Sequence, residues 1–506
     1  MTHAGTEARA HGGTGGLAWA LAVALCLCAA VPARSQCPDG TPPPCAVRPY
    51  HQPAPAANSV AVLYFDNLSR DTSNAYLADG LTEEIIAELG KVRRLDVKSL
   101  YASQQFRGKP VPSPSAVGRA LGAAFLLRGS VRPAAGGVHV TYELIRAANG
   151  AHAAGDVLDR TGAELAGAPG DIAAAVAAAI VGDLRPDERA SLARRPTGNA
   201  DAHDLYLRAL HAADSWSQEG PRAAIDYLDR AIALDPDFAN AYAAKAVAIA
   251  MLADGFESPR EAYGHVREAA AAALRRDSSS ALAWAMTGIG NLNDGDMEHA
   301  AAIGQRAVAL DPHLNWGHIL FGTARVAQGR FDEGVPALRR GWEVDSLDAV
   351  GAVALLWGFH FAAMDDSLGL YVPRMRAALD SESAAAYRGM VFAARGDWAT
   401  AAATLSWHYY GGFVAGLLVR ALVATGRPDA ARATVDSMLA ARTRGYYNPV
   451  ALAKAYAVLG DRDRAFQWLD RARQDGTMWL IWLKVDPEWA PLRGDPRFTV
   501  LLESLR

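Results

Sequence analysis

The sequence has few of the residue patterns from which catalytic and metal sites are built. Its four cysteines include no Cys-x-x-Cys pair, and neither His-Glu-x-x-His nor Gly-x-Ser-x-Gly occurs. No glycine-rich phosphate loop follows a predicted strand, and the 13 histidines are scattered without the spacing of metal ligands. We therefore predict that the chain binds no metal, needs no cofactor and is not an enzyme.

An excess of charge of either sign is also missing. The 50 basic and 54 acidic residues leave a formal net charge of −4. Proteins that bind nucleic acids usually carry a basic patch that faces the phosphates, so we expect no nucleic-acid partner. Long hydrophobic runs are missing too, because no apolar stretch reaches the roughly 18 residues of a membrane-spanning helix.

The amino terminus has the pattern of an export signal. An apolar run at residues 17–31 leads into two small-x-small motifs, at residues 31–33 and 33–35. We predict that residues 1–35 are a signal peptide, that the mature chain begins near Arg34 or Gln36, and that it is periplasmic or secreted. The alternative is an uncleaved signal that anchors the chain in the cytoplasmic membrane.

Two of the four cysteines lie in this apolar run, so Cys37 and Cys45 are the only ones in the predicted mature chain. They belong to residues 36–58, which are rich in proline and predict an exposed linker. In an exported protein a pair this close favours a disulfide. Two thiolates alone make a poor zinc site, so we expect the disulfide rather than a metal.

The hydrophobic pattern changes at residue 59. A buried strand is predicted at residues 60–65, followed by a helix at 77–89 and a strand at 95–100. A short helix, three further strands joined by Gly-rich turns, and an Ala-rich helix complete the order β-α-β-α-β-β-β-α. Residues 59–184 are therefore predicted to form a small α/β sandwich domain.

Three stretches of this domain resemble the TolB-like amino-terminal domain: residues 60–69, residues 76–84 and residues 127–131. The resemblance implies a non-catalytic interaction or sensory module, of the kind that often stands between a kinase or cyclase domain and helical repeats. Here an export signal stands where the kinase or cyclase would be. The carboxylates of Asp79, Glu83 and Glu84 invite a catalytic interpretation, but we favour a solvated first turn of a helix.

After a polar linker at residues 185–202, small residues recur with a period of 34. Asp277, Asp311 and Asp345 stand 34 residues apart, and glycines occupy equivalent positions at 295, 329, 426 and 460. The spacing predicts pairs of helices, with these glycines ending the first helix of a pair at positive φ. The second unit is longer, because Asp235 and Asp277 are 42 residues apart.

A period of 34 with small residues inside and Asp-Pro at the end of the unit resembles the tetratricopeptide repeat. This resemblance implies an all-α solenoid over residues 203–476. A terminal unit must cover its own apolar face, so we expect the Trp-rich residues 477–506 to form a cap. A hydrophobic patch for a partner remains the alternative for this segment.

The combination favours an exported, non-catalytic scaffold that binds a protein or peptide partner, with possible association with the cell envelope. The predicted partner-binding residues are Asn291 and Arg325, which occupy the same repeat position on helices expected to line the concave face. Both could instead be ordinary solvated side chains. Two other functions stay open: a ligand-sensing subunit for a separate kinase or cyclase, and an envelope enzyme with its site in the α/β domain.

Overall fold

The computed structural model describes residues 54–505, apart from short gaps at residues 70, 72–73, 99–102, 104, 108–111, 135–136, 214–217, 345–347 and 377. The predicted signal peptide and the Cys37–Cys45 pair lie outside the described residues. Within the described part, none of the helices combines the length and the apolar character that a bilayer crossing requires.

The first domain is built on one mixed sheet with the strand order β3-β1-β4-β5-β6, in which β2 also pairs with β4. The strands β1, β3 and β4 run parallel, and β4, β5 and β6 form antiparallel hairpins. The strands are β1 Ser59–Val62, β2 Asp66–Asn67, β3 Asp96–Lys98, β4 Phe125–Ala134, β5 Gly137–Arg146 and β6 His152–Thr161. The predicted element order is confirmed, except that the two-residue strand β2 and a four-residue helix at Gly162–Leu165 were not expected.

Helices cover both faces of the sheet because successive strand residues point to opposite sides. Val60 and Val62 belong to the core under α1 and α4, whereas Ala61 and Leu63 pack under α2. The helices of this part of the chain are α1 Ala75–Gly90, α2 Pro114–Leu121, α3 Gly162–Leu165, α4 Ala168–Val181 and α5 Pro186–Leu192. The predicted α/β sandwich is therefore confirmed.

Eight helix pairs follow one another in the described residues and form the predicted all-α solenoid. In each pair the first helix has an even-numbered label and the second helix has an odd-numbered label. The pairs are α6 Ala200–Ala213 with α7 Glu219–Leu234, α8 Ala239–Leu252 with α9 Pro259–Arg276, α10 Ala281–Asn293 with α11 Met297–Leu310, α12 Asn315–Ala327 with α13 Phe331–Val344, α14 Ala349–Phe361 with α15 Asp365–Tyr371, α16 Ser381–Ala394 with α17 Trp398–Thr404, α18 Ala415–Ala424 with α19 Pro428–Arg442, and α20 Pro449–Val458 with α21 Arg462–Asp475.

The period of 34 has a direct physical basis in the turn between the helices of a pair. The four predicted glycines, at positions 295, 329, 426 and 460, all have positive φ, between 70° and 82°. The same spacing also falls on Ala363, which adopts a φ of 53° without being a glycine. An L-residue is strained in this left-handed region, so Ala363 marks a turn whose geometry is kept at a conformational cost.

Glycines inside the first helices allow neighbouring helices to approach closely. A Cβ atom at Gly288 would lie 2.1 Å from Leu320, and one at Gly322 would lie 2.6 Å from Leu338. The period fades after residue 349 because the second helices α15 and α17 have only seven residues each, although the pairing of helices continues.

The chain ends in two 3-10 turns, Met478–Trp482 and Pro487–Trp489, and in the helix α22 Pro496–Ser504. We call residues 477–505 the C-terminal segment. Its aromatic side chains are buried, with Trp489 1% and Phe498 2% exposed. This segment packs against helices of several pairs and not only against the last one, as described below.

Candidate partner-binding surfaces

The two residues that were predicted to line one polar stripe differ in burial and in contacts. Asn291, near the end of α10, is half-buried. Arg325 on α12 is only 9% exposed, and its Nη1 donates hydrogen bonds to Glu298 Oε2 at 2.9 Å and to Gln328 Oε1 at 2.8 Å. Arg325 is therefore not an ordinary solvated side chain, because Glu298 on α11 and Gln328 after α12 engage its guanidinium group. Partner binding by Asn291 and Arg325 stays a prediction.

A cleft of about 590 Å³ opens between α7, α8 and α9, in the unit that carries the insertion. Its lining is mainly apolar, with charged side chains at the rim. The lining residues are Arg222, Ile225, Tyr242, Lys245, Ile249, Leu252, Glu257, His265, Glu268, Ala269 and Ala272. We call this feature the α7–α9 cleft.

The charges around the α7–α9 cleft are paired with one another. Arg222 Nη2 lies 3.1 Å from Glu257 Oε1, and Lys245 forms an ion pair with Asp229. Next to Glu257, the insertion exposes 43% of the Phe256 side chain. An apolar floor inside a rim of satisfied charges suits an apolar side chain of a partner better than a charged ligand.

The insertion also joins the second helix pair to the end of the chain. Asp254, at a φ of 62° and 1% exposed, accepts hydrogen bonds from Thr477 Oγ1, from Asn448 Nδ2 at 3.3 Å and from the Met478 backbone N–H at 3.2 Å. Burial raises the pKa of the Asp254 carboxyl to about 6, although the hydrogen bonds from Thr477 and Met478 oppose the shift. Arg260 donates to the Gln474 carbonyl oxygen at 2.8 Å. The solenoid is therefore closed between its second and eighth pairs.

A buried ion pair joins the α/β domain to the solenoid. Glu84 Oε2 on α1 lies 2.8 Å from His203 Nε2 on α6, and both residues are buried. Burial opposes the positive charge on His203, but the Glu84 carboxylate beside it raises the pKa of the imidazole above its ordinary value. Nearby, a Cβ atom at Gly80 would lie 2.7 Å from the Leu207 side chain, so only glycine permits this approach of α1 and α6.

The Asp79 carboxylate is engaged at the same junction. It contacts His211 Nδ1 at 2.7 Å and forms an ion pair with Arg107. The expectation that Asp79 and Glu84 are solvated in a first helical turn is wrong, because both are buried in the body of α1. Their histidine partners lie 132 and 119 residues further along the chain, and no sequence pattern near either carboxylate predicts these pairs.

One buried cluster has the composition of a metal site. The ligand atoms of His360, Asp486 and Glu488 lie within 4.8 Å of one another. The Lys454 ammonium group, however, lies 2.6 Å from Asp486 Oδ2 and 3.2 Å from Glu488 Oε1. A cationic side chain thus neutralises the carboxylates, and the arrangement is an ion-pair network between α20 and the C-terminal segment.

The ionisation of this network is set by burial. Burial raises the pKa of the Glu488 carboxyl to about 7, against the opposing effect of Lys454. For Lys454, burial favours the neutral form, but the Asp486 and Glu488 carboxylates outweigh it and raise the pKa of the amine. Among the described residues, none donates a hydrogen bond to the buried Glu488 Oε2. No sequence pattern pointed to Lys454, Asp486 or Glu488, and the Trp-rich tail was the one signal for this region.

Comparison with known proteins gives one sequence relative and several partial structural likenesses. No protein-family model matches the chain. A protein of Rhizobium meliloti (strain 1021) named "Putative adenylate cyclase 3" is 32% identical over 206 residues, which are 41% of this chain and 35% of that protein. The chain therefore spans about a third of the length of this relative.

Among solved structures, the APC/C hetero-tetramer Cut9–Hcn1 is 15% identical with a TM-score of 0.37, over 68% of this chain and 76% of that one. PilF of Pseudomonas aeruginosa is 16% identical with a TM-score of 0.31, over 44% and 94%. TolB from Acinetobacter baumannii is 19% identical with a TM-score of 0.20, over 26% and 30%. Superpositions at these scores are loose, so the fold is assigned from the sheet and the helix pairs of this chain.

Proposed function

We propose that this protein is a non-catalytic scaffold that binds a protein partner through the α7–α9 cleft. The observation that supports this proposal most directly is the combination of an apolar floor and a rim of paired charges, next to the exposed Phe256. Such a surface gains free energy by covering apolar area and has no unpaired rim charge to desolvate. The partner that fits it presents an apolar side chain.

A non-catalytic role also agrees with the use of the titratable residues in the α/β domain. The Asp79 and Glu84 carboxylates, which an enzymatic interpretation of α1 would need, are held in ion pairs with His211 and His203. A general acid or base must reach a substrate proton. These carboxylates instead pair with histidines of α6, at the contact between the α/β domain and the solenoid.

The cleft can be tested with two matched variants on the same helix. Ile225 lines the cleft, whereas Ile232 on the same helix is half-buried like Ile225 but does not line it. We expect Ile225→Arg to lose a partner that wild type and Ile232→Arg both capture from cell-envelope extracts, as measured by affinity purification and mass spectrometry. Equal capture by all three proteins would show that the cleft is not the binding surface.

Export remains part of the proposal, on the strength of the sequence pattern alone. The expected mature chain begins near Arg34 or Gln36, and amino-terminal sequencing of the native protein checks this. An intact Met1 or Thr2 would favour the uncleaved anchor. Cys37 and Cys45 should then be joined, and the unreduced mature protein should weigh two hydrogens less than the dithiol form.

A second candidate function is regulation of a separate cyclase. It is favoured by the 32% identity to a protein that carries the name of an adenylate cyclase, of which this chain spans only 35%. The α/β domain and the repeats would then be the regulatory part, and catalysis would lie in another polypeptide. If so, an antibody against this protein should co-purify cyclase activity from cells, and the Ile225→Arg variant should lose it.

A further inference from the structure

The C-terminal segment lies on the first helices of the solenoid, the row of helices that offers the binding surface in stacked helix pairs. Trp482 contacts α14, Lys484 Nζ donates to the Gln328 carbonyl oxygen at the end of α12 at 2.7 Å, and Asp486 pairs with Lys454 on α20. The segment therefore runs across several pairs, as a bound peptide would, and does more than cover the last pair.

The first part of this contact is aromatic. The Trp482 ring stacks on Phe361 with a centroid distance of 4.4 Å and meets the Trp357 ring edge-on at 6.2 Å. Trp479 stands edge-on to Phe413 at 5.1 Å. Aromatic contacts of this kind hold one large side chain in a defined position.

The second part of this contact is a pair of carboxylates that lie beside one cation. Lys454 Nζ lies 2.6 Å from Asp486 and 3.2 Å from Glu488, and it also lies over the Phe413 and Trp489 rings at 5.4 and 5.9 Å. Trp482, Asp486 and Glu488 are spaced by four and two residues. We call the surface formed by α12, α14 and α20 the first-helix face. It holds a large aromatic side chain, Trp482, followed by two carboxylates.

Two residues at the contact between the C-terminal segment and the solenoid are in unfavourable states. One has a strained backbone and the other has a buried polar atom that is not satisfied. Asp254, which holds Thr477 and Met478, has a left-handed backbone and a buried carboxylate. In the part of the chain that the structure describes, Glu488 Oε2 is buried without a hydrogen-bond partner. Strain and unsatisfied polar groups of this kind persist only where the surrounding structure holds them, and they often occur at parts that move.

We propose that the first-helix face is a peptide-binding groove and that the C-terminal segment is the ligand it holds within the same chain. The partner that fits this groove is a peptide with an aromatic residue and two carboxylates four and six residues later. Such a peptide binds after the segment is released. The groove is separate from the α7–α9 cleft, so the capture experiment on the cleft and the peptide titration below can fail independently.

The test uses a fluorescein-labelled synthetic peptide of residues 477–498 and the full-length protein. The tethered segment competes at a high effective concentration, so wild type should bind the peptide poorly. Trp482→Ala weakens the tethered segment and should bind it at least tenfold more tightly in fluorescence anisotropy. Val500, on the same segment, is 65% exposed, so Val500→Ala should behave like wild type. A peptide with Lys in place of Asp486 and Glu488 should not bind.

Failure of folded Trp482→Ala to bind the peptide more tightly than wild type would overturn the proposal. If this variant does not fold, hydrogen exchange of wild type decides the question. Amides of residues 478–489 should then exchange through an opening that leaves α14 and α20 protected. Exchange of the segment only together with those helices would mean that it is a fixed part of the solenoid core, and the groove would be rejected.

Discussion

The Lys454 ammonium group and the Asp486 carboxylate lie 2.6 Å apart, although their side chains are only 3% and 1% exposed. Together with the contact between Lys454 and Glu488, this pair joins α20 to the C-terminal segment. Buried ion pairs add little net stability, but removing one partner leaves an uncompensated buried charge. The pair therefore specifies where the segment docks more than how tightly it is held.

Replacing Lys454 by Met should destabilise the protein by about 3–5 kcal/mol, because Asp486 loses its cation while remaining buried. The double variant Lys454→Met with Asp486→Asn should recover part of this loss, since the orphaned charge is gone. Urea denaturation of both variants and of wild type measures the difference. If the single variant were as stable as wild type, Asp486 would have to reach solvent or take up a proton in the native protein.

The pH dependence of the stability of the protein should follow the titration of the Glu488 carboxyl. Its pKa is about 7 in the folded protein and near its ordinary value of 4.5 when unfolded. The folded state therefore binds more protons between these values, and the contribution of this group to stability falls as the pH rises from 4.5 through 7. Asp254, with a folded pKa of about 6, acts in the same direction from pH 3.8 upward.

Glu488→Gln keeps the shape of the side chain and stays neutral at every pH. It should be more stable than wild type at pH 8, by an amount on the order of 1–3 kcal/mol, and nearly equal to it at pH 5. Thermal melts at the two pH values test this. A variant less stable than wild type at pH 8 would show that the charged carboxylate contributes more through Lys454 than its burial costs.

Ala363 offers a stabilising substitution. It occupies the turn position held by glycine in neighbouring units and has a φ of 53°. Ala363→Gly should raise the free energy of unfolding by about 0.5–1 kcal/mol, because glycine adopts this backbone without a Cβ clash. The matched control is Ala362→Gly, one residue earlier at a φ of −82°, which should not stabilise the protein. Equal effects of the two substitutions in calorimetry would argue against strain at Ala363.

Much of the fold could be predicted because its determinants are local. The alternation of apolar residues in β5 predicts this strand, and the recurrence of Gly295 and Gly329 predicts positive φ at a turn that both residues adopt. The longer second unit was visible as a spacing of 42 residues. It proved to contain both the α7–α9 cleft rim and the Asp254 contact.

The parts of the site that could not be predicted depend on distant contacts. Glu84 and His203 meet only because α1 packs on α6, and nothing near either residue reveals the other. The same holds for Asp486 and Lys454. A terminal cap was expected from the exposed end of the solenoid, but the path of the C-terminal segment over the first helices depends on how far the superhelix closes.

The contacts of Arg325 change the expected effect of replacing it by Ala. A freely solvated arginine on a solenoid surface could be replaced by Ala at a change in stability within about 0.5 kcal/mol. In the structure, however, its guanidinium group is held by Glu298 and Gln328 and lies 3.4 Å from the Glu333 carboxylate, with only 11% of the side chain exposed. These contacts tie α11, α12 and α13 together.

We therefore expect Arg325→Ala to destabilise the protein by about 1–3 kcal/mol, since charge-assisted hydrogen bonds are lost and the arginine stem leaves a gap. Asn291→Ala, at the same repeat position but half-buried, is the control and should stay within about 0.5 kcal/mol of wild type. Thermal denaturation of both variants gives the comparison. If Arg325→Ala melted like wild type and lost only partner capture, the arginine would be a binding residue and its ion pairs would contribute nothing to the stability of the fold.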